Sequence, residues 1–133
     1  MGAWGAGIFD NDDAMDWWGD LLDAGDPLSS INEAYEEFED FEPDERDSPE
    51  CSNALAAAAV VAAYRHDSPI GLPDDGAPIF SKHRISVDEL LLSRTKRIVD
   101  AITTESELKD LWEESDSYDE WKKAIANLNK HLA

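Results

Sequence analysis

The residues of this sequence whose types and spacing could carry chemistry are carboxylates near its beginning. Four aspartates recur at the helical spacings i, i+3, i+7 and i+10, which places them on one helix face: Asp13, Asp16, Asp20 and Asp23. Like charges at these spacings repel each other, and the last aspartate also meets the unfavourable end of the helix dipole. Folding does not require such a face. It is either a solvated surface or a surface that binds a basic partner.

The next helical segment carries a second acidic face. Its apolar stripe consists of Ile31, Ala34, Tyr35, Phe38 and Phe41. Carboxylates occupy the opposite side of the same helix. From the two faces together we predict a protein-binding surface of six acids: Asp16, Asp20, Glu33, Glu36, Glu37 and Asp40.

The first aspartates also resemble the opening of a calcium-binding loop. Asp10 and Asp12 have the spacing of its first two ligands. However, Met15 takes the position of the required glycine and Leu21 that of the final bidentate glutamate. The sequence therefore predicts no calcium loop and no tightly held metal. A carboxylate-based metal-binding or enzymatic domain is kept as an alternative hypothesis.

No catalytic residue or cofactor site is indicated elsewhere. Cys51 lies in the first turn of a predicted helix, where a thiolate is favoured, but Glu50 and nearby acids oppose ionisation, so we expect a packed side chain. His66, His83 and His131 lie far apart without ligand spacing, so we expect structural or solvent-facing roles. The glycine-containing opening has no preceding strand and lacks the third glycine of a dinucleotide-binding fingerprint.

The charge of the chain restricts its partners. There are 31 acidic and 11 basic residues in 133, a net charge of −20. Residues 1–50 hold 17 acids and one base, a net charge of −16, whereas residues 51–133 carry −4. Direct binding to nucleic acid or to an anionic membrane requires basic residues, so neither is expected.

The sequence has no membrane-length apolar run and no signal-peptide pattern, and its single cysteine fits a reducing compartment. We therefore expect a cytoplasmic protein.

One short region is basic. It contains five lysines or arginines and one histidine: Lys82, His83, Arg84, Arg94, Lys96 and Arg97. Its partner is either the acidic segment of its own chain or that of a second subunit, so a homodimer is one of the possible states. A phosphate-binding patch is the rival interpretation.

Periodicity predicts an all-α fold in one domain, residues 1–133, with five or six short helices. The segment 54–64 is alanine-rich and apolar on nearly all sides, which is typical of a central helix surrounded by neighbours. An N-terminal arm is expected to fold onto the body, anchored by Trp4 and Phe9. Helix starts are predicted from capping patterns at Asp10 or Asn11, Pro27 or Ser30, Ser48, Ser86, Thr104 and Ser117.

Residues at both ends of the sequence resemble a known family. The opening signature consists of Gly2, Trp4, Gly5, Gly7, Phe9, Asn11, Asp12, Ala14, Asp16 and Trp17. Towards the end, residues 107–114 are followed by Glu120-Trp121, Leu128 and Leu132. Together they resemble the bacterial domain-of-unknown-function 4259 family. The resemblance implies a compact, mainly helical domain, and it supplies no activity, cofactor or catalytic residue.

Three functional hypotheses follow from the sequence. The first is a non-enzymatic protein-interaction module, in its most concrete form a small inhibitor or immunity-type protein whose acidic face covers a basic partner. The charge segregation motivates it, because such fields speed association and select basic partners. The second is the carboxylate-based metal-binding or enzymatic domain. The third is an acidic housekeeping domain with no dedicated basic partner.

Overall fold

Helices make up most of the structure. The computed structural model of the chain describes residues 5–42, 45–68, 71–73, 78, 80, 82 and 85–133. Six helices are delimited within these ranges: α1 Asp12–Ala24, α2 Pro27–Asp40, α3 Ser48–Arg65, α4 Glu89–Thr104, α5 Glu107–Glu113 and α6 Tyr118–Leu132. The predicted all-α class is confirmed. None of the described helices has the length and apolar character needed to cross a membrane.

Helix α1 begins and ends where its sequence predicts. The Asn11 side chain accepts a hydrogen bond from the backbone N–H of Ala14 at 2.8 Å, so Asn11 is the N-cap rather than Asp10. Asp10 instead accepts from the backbone N–H of Gly7 at 3.1 Å. Gly25 ends the helix in the left-handed conformation, with φ of 67°, which glycine adopts without steric cost.

Helix α2 begins at Pro27, so the alternative start at Ser30 is wrong. The Asp26 side chain accepts a hydrogen bond from the backbone N–H of Ser29, and Pro27 presets the helical φ at the first position. Ser30 is consequently inside the helix and buried. Phe41 is also misassigned to the apolar stripe: the helix ends at Asp40, and Phe41 is 41% exposed.

Helix α3 is the centre of the fold, as its alanine content predicts. It packs against each of the other five helices. Six of its alanines are buried, and their small side chains let the neighbouring helices approach closely. Large side chains of those neighbours, among them Trp18, Tyr35, Ile98 and Trp121, complete the core. The start of α3 is held from outside as well, because the Ser48 backbone N–H donates to Oε1 of Glu107 at 3.1 Å.

Helices α4, α5 and α6 follow in the predicted order. Helices α4 and α5 begin slightly later in the chain than predicted. Asp88, not Ser86, caps α4 by accepting from the Leu91 backbone N–H at 2.8 Å. Ser106, not Thr104, caps α5, whereas Ser117 is the N-cap of α6 as predicted. Leu90, in the first turn of α4, is 83% exposed.

The described part of the N-terminal arm folds onto the body. The Phe9 ring meets Trp18 edge-on, with centroids 5.6 Å apart and planes at 72°, although Phe9 stays half-buried. The other predicted anchor, Trp4, lies outside the described residues, as does half of the predicted loop at 67–80.

The one cysteine is packed inside the core, as expected. Cys51 is fully buried, and burial raises the pKa of its thiol from 9.0 to about 12. Because the folded pKa lies above the unfolded one, the associated stability is complete below pH 9 and is lost as the pH rises towards 12.

We therefore expect Cys51 to react slowly with a thiol reagent in the folded protein. At pH 8, labelling by an aromatic disulfide should be roughly 100-fold slower than in urea-unfolded protein, because reaction requires opening of the core. The change of absorbance on release of the aromatic thiol gives both rates. Equal rates in the two states would contradict the burial of Cys51.

Candidate functional site

An acidic groove lies between α1 and α2. It encloses about 330 Å³ and is lined by carboxylates of both helices. Its five acids are Asp13, Asp16 and Asp20 on α1 and Glu33 and Glu37 on α2. They reach the same groove because each helix repeats its acids every three or four residues, on the flank of its buried stripe. All but Asp13 are exposed, so the carboxylates are accessible to a partner.

The groove also has apolar and amide lining. Trp17 of α1 is half-buried there, beside Ala34 of α2. Asn53, from the second turn of the central helix, reaches the same space. Its side-chain Oδ1 is buried and has no hydrogen-bond partner. A buried acceptor without a donor costs about 1–3 kcal/mol.

Four of the six acids predicted to bind a partner come together here: Asp16, Asp20, Glu33 and Glu37. Glu36 and Asp40 are exposed on α2 but are not among the described residues that line the groove. Glu36 contributes to the electrostatic environment of Arg94 on α4 instead. A binding role for any of the six stays a prediction.

No lysine, arginine or histidine is found among the described residues that line the groove. The predicted basic region does contact the acidic segment of its own chain, but on another face of α2. Nε of Arg94 donates to Oε1 of Glu39 at 3.1 Å, and this ion pair raises the pKa of the guanidinium. Lys82, Lys96 and Arg97 are exposed, and His83 and Arg84 lie outside the described residues. Within the described part of the chain, no ion pair involves any of the five groove acids.

The histidines and the possible metal ligands are the two other candidate features. The structure places the rings of His66 and His131 5.2 Å apart, although their distance in sequence suggested separate positions. The packing of α3 against α6 brings them together. Over the described ranges, no group of three or more His, Cys, Asp or Glu side chains is placed to hold a metal ion.

Asn53 is the groove residue that sequence reasoning did not identify. A signal was present: Ser52 and Asn53 are polar residues directly before the apolar segment 54–64 of the same helix. Asparagine is a poor helix former, since its side chain competes with the backbone for hydrogen bonds. An asparagine in that position therefore calls for a reason beyond helix formation.

Comparisons with known proteins identify one family. The profile of the domain of unknown function DUF4259 matches residues 2–124, nearly the whole chain of 133 residues. No curated protein matches the chain, and no solved structure does. The extent of the profile match agrees with the residues at both ends that resemble this family, and the chain belongs to the DUF4259 family.

Proposed function

We propose that this protein is a non-enzymatic interaction module whose acidic groove receives a cationic side chain of a basic partner protein. The observation that carries the proposal is the convergence of five carboxylates of α1 and α2 in one groove whose described lining holds no lysine, arginine or histidine. Carboxylates accept strong hydrogen bonds from guanidinium and ammonium groups, so this lining favours a cationic ligand.

The lining favours arginine over lysine as the entering side chain. A guanidinium has five N–H donors, which can be shared between several carboxylates. Its plane also stacks on aromatic rings, and Trp17 provides one in the groove. Lysine offers three donors on a strongly hydrated ammonium and makes a poorer stacking partner.

The charge of the whole chain supports the same role. The net charge of −16 over residues 1–50 attracts basic proteins and speeds their encounter, whereas like-charged proteins are repelled. The concrete form of the proposal is a small cytoplasmic inhibitor or immunity-type protein that covers the basic surface of its partner.

The groove can be tested with a defined peptide. We expect an amidated peptide of alternating glycine and arginine to shift the NMR signals of the Asn53 side-chain amide and the Trp17 indole in a saturable manner. A matched peptide with citrulline, which keeps the shape but lacks the charge, should bind at least about tenfold more weakly, since charged hydrogen bonds contribute roughly 1.5–3 kcal/mol each.

The distribution of the shifts decides the outcome of this titration. Shifts spread evenly over all acidic surfaces, with none concentrated at Asn53 and Trp17, would contradict a specific groove. Equal binding of the citrulline peptide would also contradict it.

A further inference from the structure

A second, chemically different cavity lies between α3 and α6. It encloses about 450 Å³, inside the range of roughly 300–1,000 Å³ that small-molecule sites occupy, and its lining is mainly apolar. Small side chains create the space, since Ala59, Ala62 and Ala63 of α3 face Ala124 of α6 across it. We name it the alanine cavity after these four residues.

One wall of the alanine cavity is formed by the arm. Gly7 and Ile8 line it, and the arm is held there by the hydrogen bond from the Gly7 backbone N–H to Asp10. A Cβ added at Gly7 would come within 2.7 Å of an Asp10 carboxylate oxygen, so the Asp10 side chain would have to move.

Two imidazoles give the cavity its polar end. The rings of His66 and His131 meet edge-on, with planes at 83°. Nδ1 of His131 lies 2.8 Å from the backbone oxygen of Asn127. Because that carbonyl oxygen can only accept, Nδ1 carries the hydrogen and Nε2 of the neutral ring is an acceptor. The cavity thus combines an apolar body with an acceptor that suits a hydroxyl or N–H donor.

We propose that the alanine cavity binds a neutral, mainly apolar small molecule of two or three rings that carries one hydroxyl or N–H donor, directed at His131. The size follows from a comparison of volumes, because a cavity of about 150 Å³ suffices for benzene. A neutral ligand is favoured because the chain's charge of −20 repels anions and the described lining holds no carboxylate to attract a cation. This inference is independent of the acidic groove.

The test uses 2-naphthol, with naphthalene as the matched probe that lacks the hydroxyl. We expect 2-naphthol to bind the full chain at a one-to-one ratio and to shift the methyl NMR signals of Ala59, Ala62 and Ala63. Naphthalene should bind about 3- to 10-fold more weakly, the loss of one hydrogen bond. His131→Phe, which keeps an aromatic ring without the acceptor, should remove this preference.

A filling variant tests the position of the ligand. Ala124→Leu adds volume to the half-buried α6 wall and should weaken 2-naphthol binding at least tenfold, whereas Lys123→Leu, at an exposed position of the same helix, should leave it unchanged. If Ala124→Leu does not fold, the alanine methyl shifts in the wild type carry the test. No saturable binding to the wild type, or saturable binding without those methyl shifts, would overturn the proposal.

Discussion

Replacing Trp18 with alanine should lower the free energy of unfolding by about 3–5 kcal/mol, the range for emptying a large aromatic site in a core. Trp18 is 1% exposed and belongs to the central cluster around α3. Its removal also takes away the ring against which Phe9 packs edge-on, so the arm loses one of its contacts with the body. Urea unfolding followed by far-ultraviolet circular dichroism measures the change.

The matched control for Trp18→Ala is the substitution of a large apolar residue that lies outside the core. Leu90 is 83% exposed, so Leu90→Ala should change stability by no more than about 0.5 kcal/mol. A loss below 1 kcal/mol for Trp18→Ala would show that α1 and the arm are not packed against α3 as described.

Neutralising the acidic groove should have the largest functional effect. The groove variant replaces Asp16 and Asp20 with asparagine and Glu33 and Glu37 with glutamine, which keeps side-chain size and removes four charges. Association with a basic partner should slow by an order of magnitude or more, because opposite charges steer the encounter. Stability should be unchanged or slightly higher, since repulsion between like charges at i, i+4 is relieved.

Added salt should slow the association of the wild-type protein, as neutralising the groove does. The Debye length falls from about 10 Å at 0.1 M to about 3 Å at 1 M ionic strength, so wild-type association should slow steeply with salt. The groove variant should respond much less. Stopped-flow association rates across this range test the expectation, and a wild-type rate independent of salt would contradict it.

The sequence predicts the fold well where local chemistry determines it. Helix α1 begins after Asn11 and ends before Gly25. The Asn11 side-chain oxygen and the left-handed Gly25 satisfy backbone groups that have no hydrogen-bond partner inside the helix. The apolar character of 54–64 predicts a central helix, because no other arrangement buries all of its sides. The errors in helix starts fall where two caps compete. The N-caps are Asp26, Asp47, Asp88 and Ser106, and not the predicted Ser30, Ser48, Ser86 and Thr104.

The candidate sites depend on contacts between helices that sequence spacing does not encode. The periodicity of each helix predicts an acidic face on α1 and another on α2, but the groove exists because the two helices pack side by side over Asn53. The meeting of His66 and His131 arises in the same way, since 64 residues separate them in the chain and only the packing of α3 on α6 joins them.

The central claim is that the acidic groove, rather than acidity in general, selects a basic partner. A control variant separates the two, with four exposed acids outside the groove neutralised in the same manner: Asp100→Asn, Glu105→Gln, Glu114→Gln and Asp116→Asn. It has the same net charge as the groove variant.

Capture from the native lysate by wild type, groove variant and control variant, quantified by mass spectrometry, measures the claim most directly. We predict that a basic protein is recovered equally by wild type and control, and at least about tenfold less by the groove variant. Equal recovery by all three, equal losses in both variants, or the absence of any basic protein would contradict the account and favour acidity without a dedicated partner.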